Sequence, residues 1–281
     1  MRWKWVALAA LPSLFLFILF FFVLHMKSPL VVLYNNTTPI DYTPRSLAKF
    51  SILIGILTRP DSYDRRHFLR LVYGIQSSPI AKTDIRFVFC NLTKEDQKMF
   101  IALEILRFND IIILNCTENM NSGKTYTYFS SLPRILLHRY DYVMKADDDV
   151  FLRLEPLAMS LMPLPRTDLY YGFVIPCTSQ NPFVEYMSGM GFVLSWDLVV
   201  WIGDSCIPVN YTNGPEDKLV GKWLTMGKKA KNRDTIAVEV PMVTRILTWS
   251  IETKTNVHLF ILEQIERERG RREEVDKRVS P

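Results

Sequence analysis

Four short apolar runs, each separated from the next by a segment with helical spacing, restrict this chain more than any other feature. Residues 50–57 read as a buried strand, and residues 63–73 then set apolar side chains at helical intervals among arginines. Residues 85–89 read as a second strand, 94–107 as a helix with one apolar face, and 111–114 as a third strand. A helix over 124–138, bent or broken by Pro133, leads into the fourth run at Tyr142. Strands alternating with helices predict a mostly parallel α/β sheet rather than a sandwich or a bundle. Thr58, Arg59, Pro60 and Asp61 follow the first strand, so neither a glycine-rich dinucleotide fingerprint nor a phosphate loop stands there.

The fourth run, Tyr142 to Ala146, ends in Asp147, Asp148 and Asp149 and turns apolar again at Val150 and Phe151. Open α/β sheets take their ligands beyond the carboxyl ends of their strands. Aspartates at that edge suit a divalent cation, and a cation there neutralises a bound diphosphate. Three adjacent like charges repel unless something pairs with them. The plain alternative is a solvated acidic turn. Arg59, Arg66 and Arg70 follow the first strand, where guanidinium groups match phosphate geometry. Arg59 and Arg70 are the candidates, while Arg65 reads equally well as solvent-facing. Ser188, Gly189, Met190 and Gly191 offer bare backbone that lets a sugar approach, or else a packing turn before a strand over 192–194. Trp196 and Trp201 sit among apolar neighbours and read as core.

Residues 5–24 contain no charged side chain, about the length a membrane-spanning helix needs. Arg2 and Lys4 precede the run, which favours a cytosolic tail at 1–4 and the bulk of the chain across the membrane. Sequons at Asn35, Asn36, Asn91, Asn115 and Asn210 agree with a lumenal body behind a polar stalk over 25–45. Cys90, Cys116, Cys177 and Cys206 allow two bridges in three connectivities. From residue 46 the chain is long enough for one substantial core. A formal charge of +5 is modest, and no basic block with interleaved aromatics marks a nucleic-acid surface.

The ordered set Ile54 to Arg59, Arg65 to Arg70, Lys145 to Phe151, Tyr186 to Ser195 and Gly214 to Gly221 resembles the β-1,3-galactosyltransferase family of Golgi enzymes, in its plant or fungal form. The resemblance implies a GT-A-like fold, a mixed, mostly parallel nucleotide-sugar-binding sheet over 46–233 behind an N-terminal transmembrane helix. It implies UDP-galactose or UDP-N-acetylglucosamine as donor, a glycan or glycoprotein acceptor, and manganese as cofactor. Asp149 is then the expected direct metal ligand. Asp147 faces the nucleotide or joins Asp149 at the metal, and Asp148 lies with the donor. Asp217 is the expected general base. Glu216 orients a sugar hydroxyl or pairs with a base, and both also suit a helix N-terminus. Lys124 and Lys145 recur in the family's motifs, with Lys145 pairing an acid to hold the loop. Gly189, Arg59 and Arg70 complete the donor-side set. The resemblance also implies a Golgi membrane location as a single-pass type II protein. Self-association and hetero-oligomers both remain open.

Inverting transfer is a single displacement, so it needs one carboxylate near the attacking hydroxyl and positive charge near the departing diphosphate. Two acid clusters far apart in sequence meet that need. Residues 234–260 depart from the family: Glu239 stands where plant members carry a histidine near the metal, and His258 is a possible substitute. Residues 261–281 read as a charged, solvated tail. A membrane-anchored binding partner that keeps the fold without turnover is the competing expectation, with a metal-dependent phosphohydrolase as a third.

Overall fold

The computed structural model describes residues 48–176, 181–236 and 243–245. The predicted span at 5–24, the stalk at 25–45, Cys177, Glu239, His258 and the charged tail lie outside the described residues. Among the described residues no helix is long and apolar enough to cross a membrane.

In chain order the elements are β1 (Phe50–Leu57), α1 (Tyr63–Gly74), β2 (Ala81–Cys90), α2 (Glu95–Phe108), β3 (Ile111–Leu114) and α3 (Lys124–Ile135). There follow β4 (Tyr142–Asp147), β5 (Val150–Leu152), α4 (Leu154–Leu161), β6 (Leu169–Ile175) and β7 (Tyr186–Ser195). The last are α5 (Trp196–Asp204), α6 (Cys206–Asn210), α7 (Glu216–Met226), β8 (Asn232–Thr235) and β9 (Val243–Arg245). Seven strands form one sheet in the order β3-β2-β1-β4-β7-β6-β8, and β5 pairs with β9 in a separate ribbon. The half from β3 to β4 is parallel throughout. Strand β7 runs antiparallel to both β4 and β6, and β8 is parallel to β6. The sheet is therefore mixed and mostly parallel, as the alternating pattern predicts.

Strand β1 is nearly all apolar because helices cover both of its faces. Ile52, Ile54 and Ile56 join one core with Leu69 and Val72 of α1 and Leu157 and Leu161 of α4. Leu53 and Leu57 join the other with Tyr128, Phe129 and Leu132 of α3, Leu198 and Ile202 of α5, and Val220 and Trp223 of α7. Gly55 is required at the crossing point, because a Cβ there would overlap the ring of buried Tyr128. Trp196 and Trp201 pack against this second core, as expected.

Two expectations need correction. Helix α3 ends at Ile135, with Pro133 inside its last turn, rather than running to 138. A proline in that turn removes a backbone donor where the helix is about to end, so of the two expected effects, bend or break, it is the break. Ser188 to Gly191 are not the packing turn offered as one alternative but part of β7, at the point where its pairing with β6 shifts register between Phe192 and Met187. Cys90 and Cys116 form a disulfide that ties the end of β2 to the segment after β3, and Cys206 is a free, exposed thiol.

Candidate active site

The parallel half of the sheet brings the carboxyl ends of β1 and β4 side by side, with Leu57 opposite Asp147. Because β7 is antiparallel to β4 and pairs Gly191 with Ala146, its Gly189 lies just past the end of β4. A cavity of about 450 Å³ opens there, lined by Thr58, Arg59, Arg65, Glu118, Asn121, Lys124, Asp147, Asp148, Asp149, Gly189, Glu216 and Asp217. Of the residues singled out from the sequence, Arg59, Lys124, Asp147, Asp148, Asp149, Gly189, Glu216 and Asp217 line this cavity, whereas Arg70 and Lys145 do not.

Helix α7 delivers Asp217 from the opposite side. Gly214 takes a φ of 127°, open to glycine but strained for other residues, and its N–H donates to the Asn121 carbonyl at 2.9 Å. Trp223, fully buried, donates its indole N–H to the Tyr211 carbonyl at 2.8 Å and fixes the helix against the preceding loop. The Gly189 N–H then donates to Asp217 Oδ2 at 3.3 Å. A Cβ on Gly189 would stand 3.2 Å from Lys145 Nζ, 3.5 Å from Asp147 Oδ2 and 3.7 Å from Asp217 Oδ2. The bare backbone therefore occupies the gap between the acid turn and the base candidate.

Two buried lysines hold this arrangement. Lys145, inaccessible to solvent, donates to Asp147 Oδ1 at 2.7 Å and to the Gly189 carbonyl at 2.9 Å, and it also pairs with Glu216. Burial alone would lower its pKa, but the Glu216 and Asp147 carboxylates outweigh that and hold it above the ordinary value. Burial in turn raises the Asp147 carboxyl despite the ammonium beside it. Glu216 is buried, with one oxygen on Lys145 and the other accepting from the Thr125 hydroxyl. Both of its oxygens are thus engaged in bracing the start of α7. Lys124 donates to the Thr58 carbonyl at 2.6 Å and pairs with Glu118. Burial lowers the Lys124 pKa, and Glu118 offsets part of the effect. Glu118 also accepts the Cys90 N–H at 2.7 Å, so the disulfide and this lysine share one carboxylate.

The arginines sort differently from the sequence expectation. Arg59 lines the cavity. Arg70 does not reach it: its guanidinium donates to Asp110 at 2.7 and 2.8 Å and pairs with Glu104 beside a separate cavity of about 240 Å³. Arg66 is fully buried, bonded to both oxygens of Glu104 and to the carbonyls of Arg59 and Pro60, so it fixes the loop after β1. Arg65, for which the sequence leaves both readings open, is exposed and also pairs with Asp148 at 2.7 Å. Thr58 donates to the other oxygen of Asp148 at 2.6 Å. The sequence reasoning missed Arg65, Thr58 and Glu118. The helical spacing held the signal for Arg65, since Arg66 and Arg70 share one face of α1 and Arg65 points off it.

Among the described residues no three His, Cys, Asp or Glu side chains form a group that could hold a metal ion. Asp148 spends both oxygens on Thr58 and Arg65, and Asp147 spends Oδ1 on Lys145. The donor set is nonetheless hard oxygen at a turn. It fits a cation bound by one or two carboxylates and completed by substrate phosphates, not an all-protein cage.

A polar cavity at the strand ends of a mixed α/β sheet, edged by an acid turn and a facing carboxylate, stands where open α/β proteins take their ligands. The galactosyltransferase family model matches residues 64–179. The β-1,3-galactosyltransferase pvg3 of Schizosaccharomyces pombe is 25% identical, covering 53% of this chain and 54% of its own. Beta-1,3-galactosyltransferase 6 of Mus musculus is 24% identical, covering 64% of this chain and 61% of its own. The chain thus spans between about half and three fifths of the length of these relatives. An active-site mutant of LgtC overlaps 74% of this chain and 94% of its own at 11% identity and a TM-score of 0.43, too loose an overlap to bear on function. Over part of its length the chain is similar to β-1,3-galactosyltransferases, in line with the resemblance its motifs carry.

Proposed function

We propose that this protein is an inverting glycosyltransferase that moves galactose from UDP-galactose to a hydroxyl of a glycan or glycoprotein in β-1,3 linkage. The observation that carries the reading is the Asp217 carboxylate beside Gly189, across the cavity mouth from the Asp147 turn. Asp217 accepts the proton of the acceptor hydroxyl as that oxygen bonds to the anomeric carbon. The bond from that carbon to the diphosphate breaks on the opposite side, and its electron pair leaves with the nucleotide. Lys145 and Thr125 hold Glu216, and through it the start of α7, so that Asp217 stays aimed at the cavity. Lys124 fixes the Thr58 backbone at the floor. Asp149 and Asp147 are the residues that would hold manganese, which supplies Lewis-acid neutralisation of a diphosphate when bound. The apolar run at 5–24 supports a single membrane anchor with the body on the far side, and the resemblance to Golgi transferases is what points to the Golgi membrane.

The test is calorimetric binding of UDP-galactose to the detergent-solubilised full chain, with and without manganese, followed by a transfer assay over a broad acceptor panel. Binding is expected, and Asp149→Asn is expected to remove its manganese-dependent part. Folded protein that neither binds UDP-galactose nor transfers sugar would sink the reading.

A further inference from the structure

We propose that a row of exposed lysines beginning next to Asp217 binds an anionic acceptor, a glycan bearing carboxylate or sulfate groups. This rests on the transfer reading of Asp217 and names the class of acceptor it serves. From Lys218 to Lys231 the chain carries Lys218, Lys222, Lys228, Lys229 and Lys231 and no Asp or Glu. All five are exposed. Among the described residues none of their ammonium groups enters an ion pair, whereas Lys94, Lys98, Lys124 and Lys145 each do. Unpaired charge of one sign along a helix and the turn that follows it makes a field that draws and orients a polyanion.

The row is built, not frayed. Helix α7 buries Val220, Trp223 and Leu224 and leaves Lys218 and Lys222 one turn apart on its outer side. The Lys218 ammonium lies 5.5 Å from the ring centre of Tyr186, and that of Lys222 lies 4.0 Å from the ring centre of Tyr211. Both cations are thereby positioned without a carboxylate that would cancel them. Beyond the helix, the Asp168 carboxylate accepts the N–H groups of Ala230 at 2.7 Å and Lys231 at 3.1 Å, which pins the turn carrying the last three lysines. From Asp217 to the helix end at Met226 the rise gives a path of roughly 14 Å, with the last three lysines just beyond it. One end of that path is the group that takes the proton from a sugar hydroxyl. The ligand lying along it is therefore the remainder of the acceptor, which favours a charged glycan over a lipid surface.

The experiment compares an oligogalacturonide with its methyl-esterified, uncharged form, binding each to the full chain by calorimetry at low and at physiological salt. UDP-galactose binding is measured on the same samples. The acid form is expected to bind about tenfold more tightly, with the preference shrinking as salt rises. A Lys218→Gln, Lys222→Gln double variant is expected to lose most of that preference while UDP-galactose binding stays unchanged. Equal binding of the two forms, no binding of either, or an undiminished preference in the variant overturns the proposal. So does binding of phosphatidylserine vesicles in place of the oligogalacturonide. Loss of UDP-galactose binding by the unaltered protein would instead count against the transfer reading, so the two failures are separable.

Discussion

Lys145 and Glu216 form an ion pair that ties the end of β4 to the first residue of α7, with the Lys145 ammonium also 2.7 Å from Asp147 Oδ1. Neither side chain of the Lys145–Glu216 pair is more than marginally exposed, so removing the cation strands two carboxylates in a poorly solvated place. Lys145→Met is expected to destabilise the fold by about 3–5 kcal/mol, read by denaturant unfolding. Adding Glu216→Gln to that variant is expected to restore part of the loss, because one stranded charge is gone. A single variant as stable as the parent would refute the brace.

Asp217 has the opposite character. It lines the cavity, and among the described residues its one long-range hydrogen bond comes from the Gly189 N–H at 3.3 Å. Asp217→Asn keeps the shape and the hydrogen-bond acceptor while removing the capacity to take a proton. Transfer is expected to fall by about two to four orders of magnitude, with unfolding temperature and UDP-galactose affinity little changed. A variant that keeps full turnover would require a different base.

Gly189 tests how close the two acid clusters must stand. Its backbone takes up no positive φ, so Gly189→Ala should fold, and the new methyl would touch Lys145 Nζ at 3.2 Å. The methyl would enter the gap that separates Asp147 from Asp217. Transfer is expected to drop about a hundredfold through misplacement of the reacting groups, with thermal unfolding largely preserved. An unaffected rate would mean that the substrate passes elsewhere.

The parts of this protein written plainly in its sequence are those set by local pattern. Strands β1 and β3 fall at the expected residues because uninterrupted apolar runs of that length have few other uses. The acid turn was legible because three adjacent carboxylates at a strand end need an explanation. The disulfide was not, since four cysteines admit three pairings and only the fold brings Cys90 beside Cys116. The exchange of roles between Arg65 and Arg70 was hidden for a related reason. Which side of α1 faces the cavity depends on where α2 packs, and Glu104 on α2 captures Arg66 and Arg70 together. Glu216 and Asp217 look equivalent as neighbours in sequence. Both border the cavity, but the helix start turns them apart, so that Glu216 is buried in a pair with Lys145 while Asp217 meets the Gly189 N–H.

Glu104 provides a prediction with a pH dependence whose sign is fixed. Burial pushes its carboxyl upward, but Arg66 and Arg70 outweigh burial and hold it below the ordinary value of 4.5. A carboxylate with a depressed folded-state pKa contributes stability above its unfolded pKa, and that contribution is lost as pH falls through the folded value. Glu104→Gln leaves two guanidinium groups facing a neutral amide and is expected to cost about 3 kcal/mol at neutral pH. The gap between the parent and the variant should then narrow as pH falls below 4.5, where the parent's own carboxyl takes up a proton. Chemical denaturation of both proteins across that range checks the slope. A gap that stays constant into acid would show that the cost comes from packing of α1 against α2 and not from the ion pair.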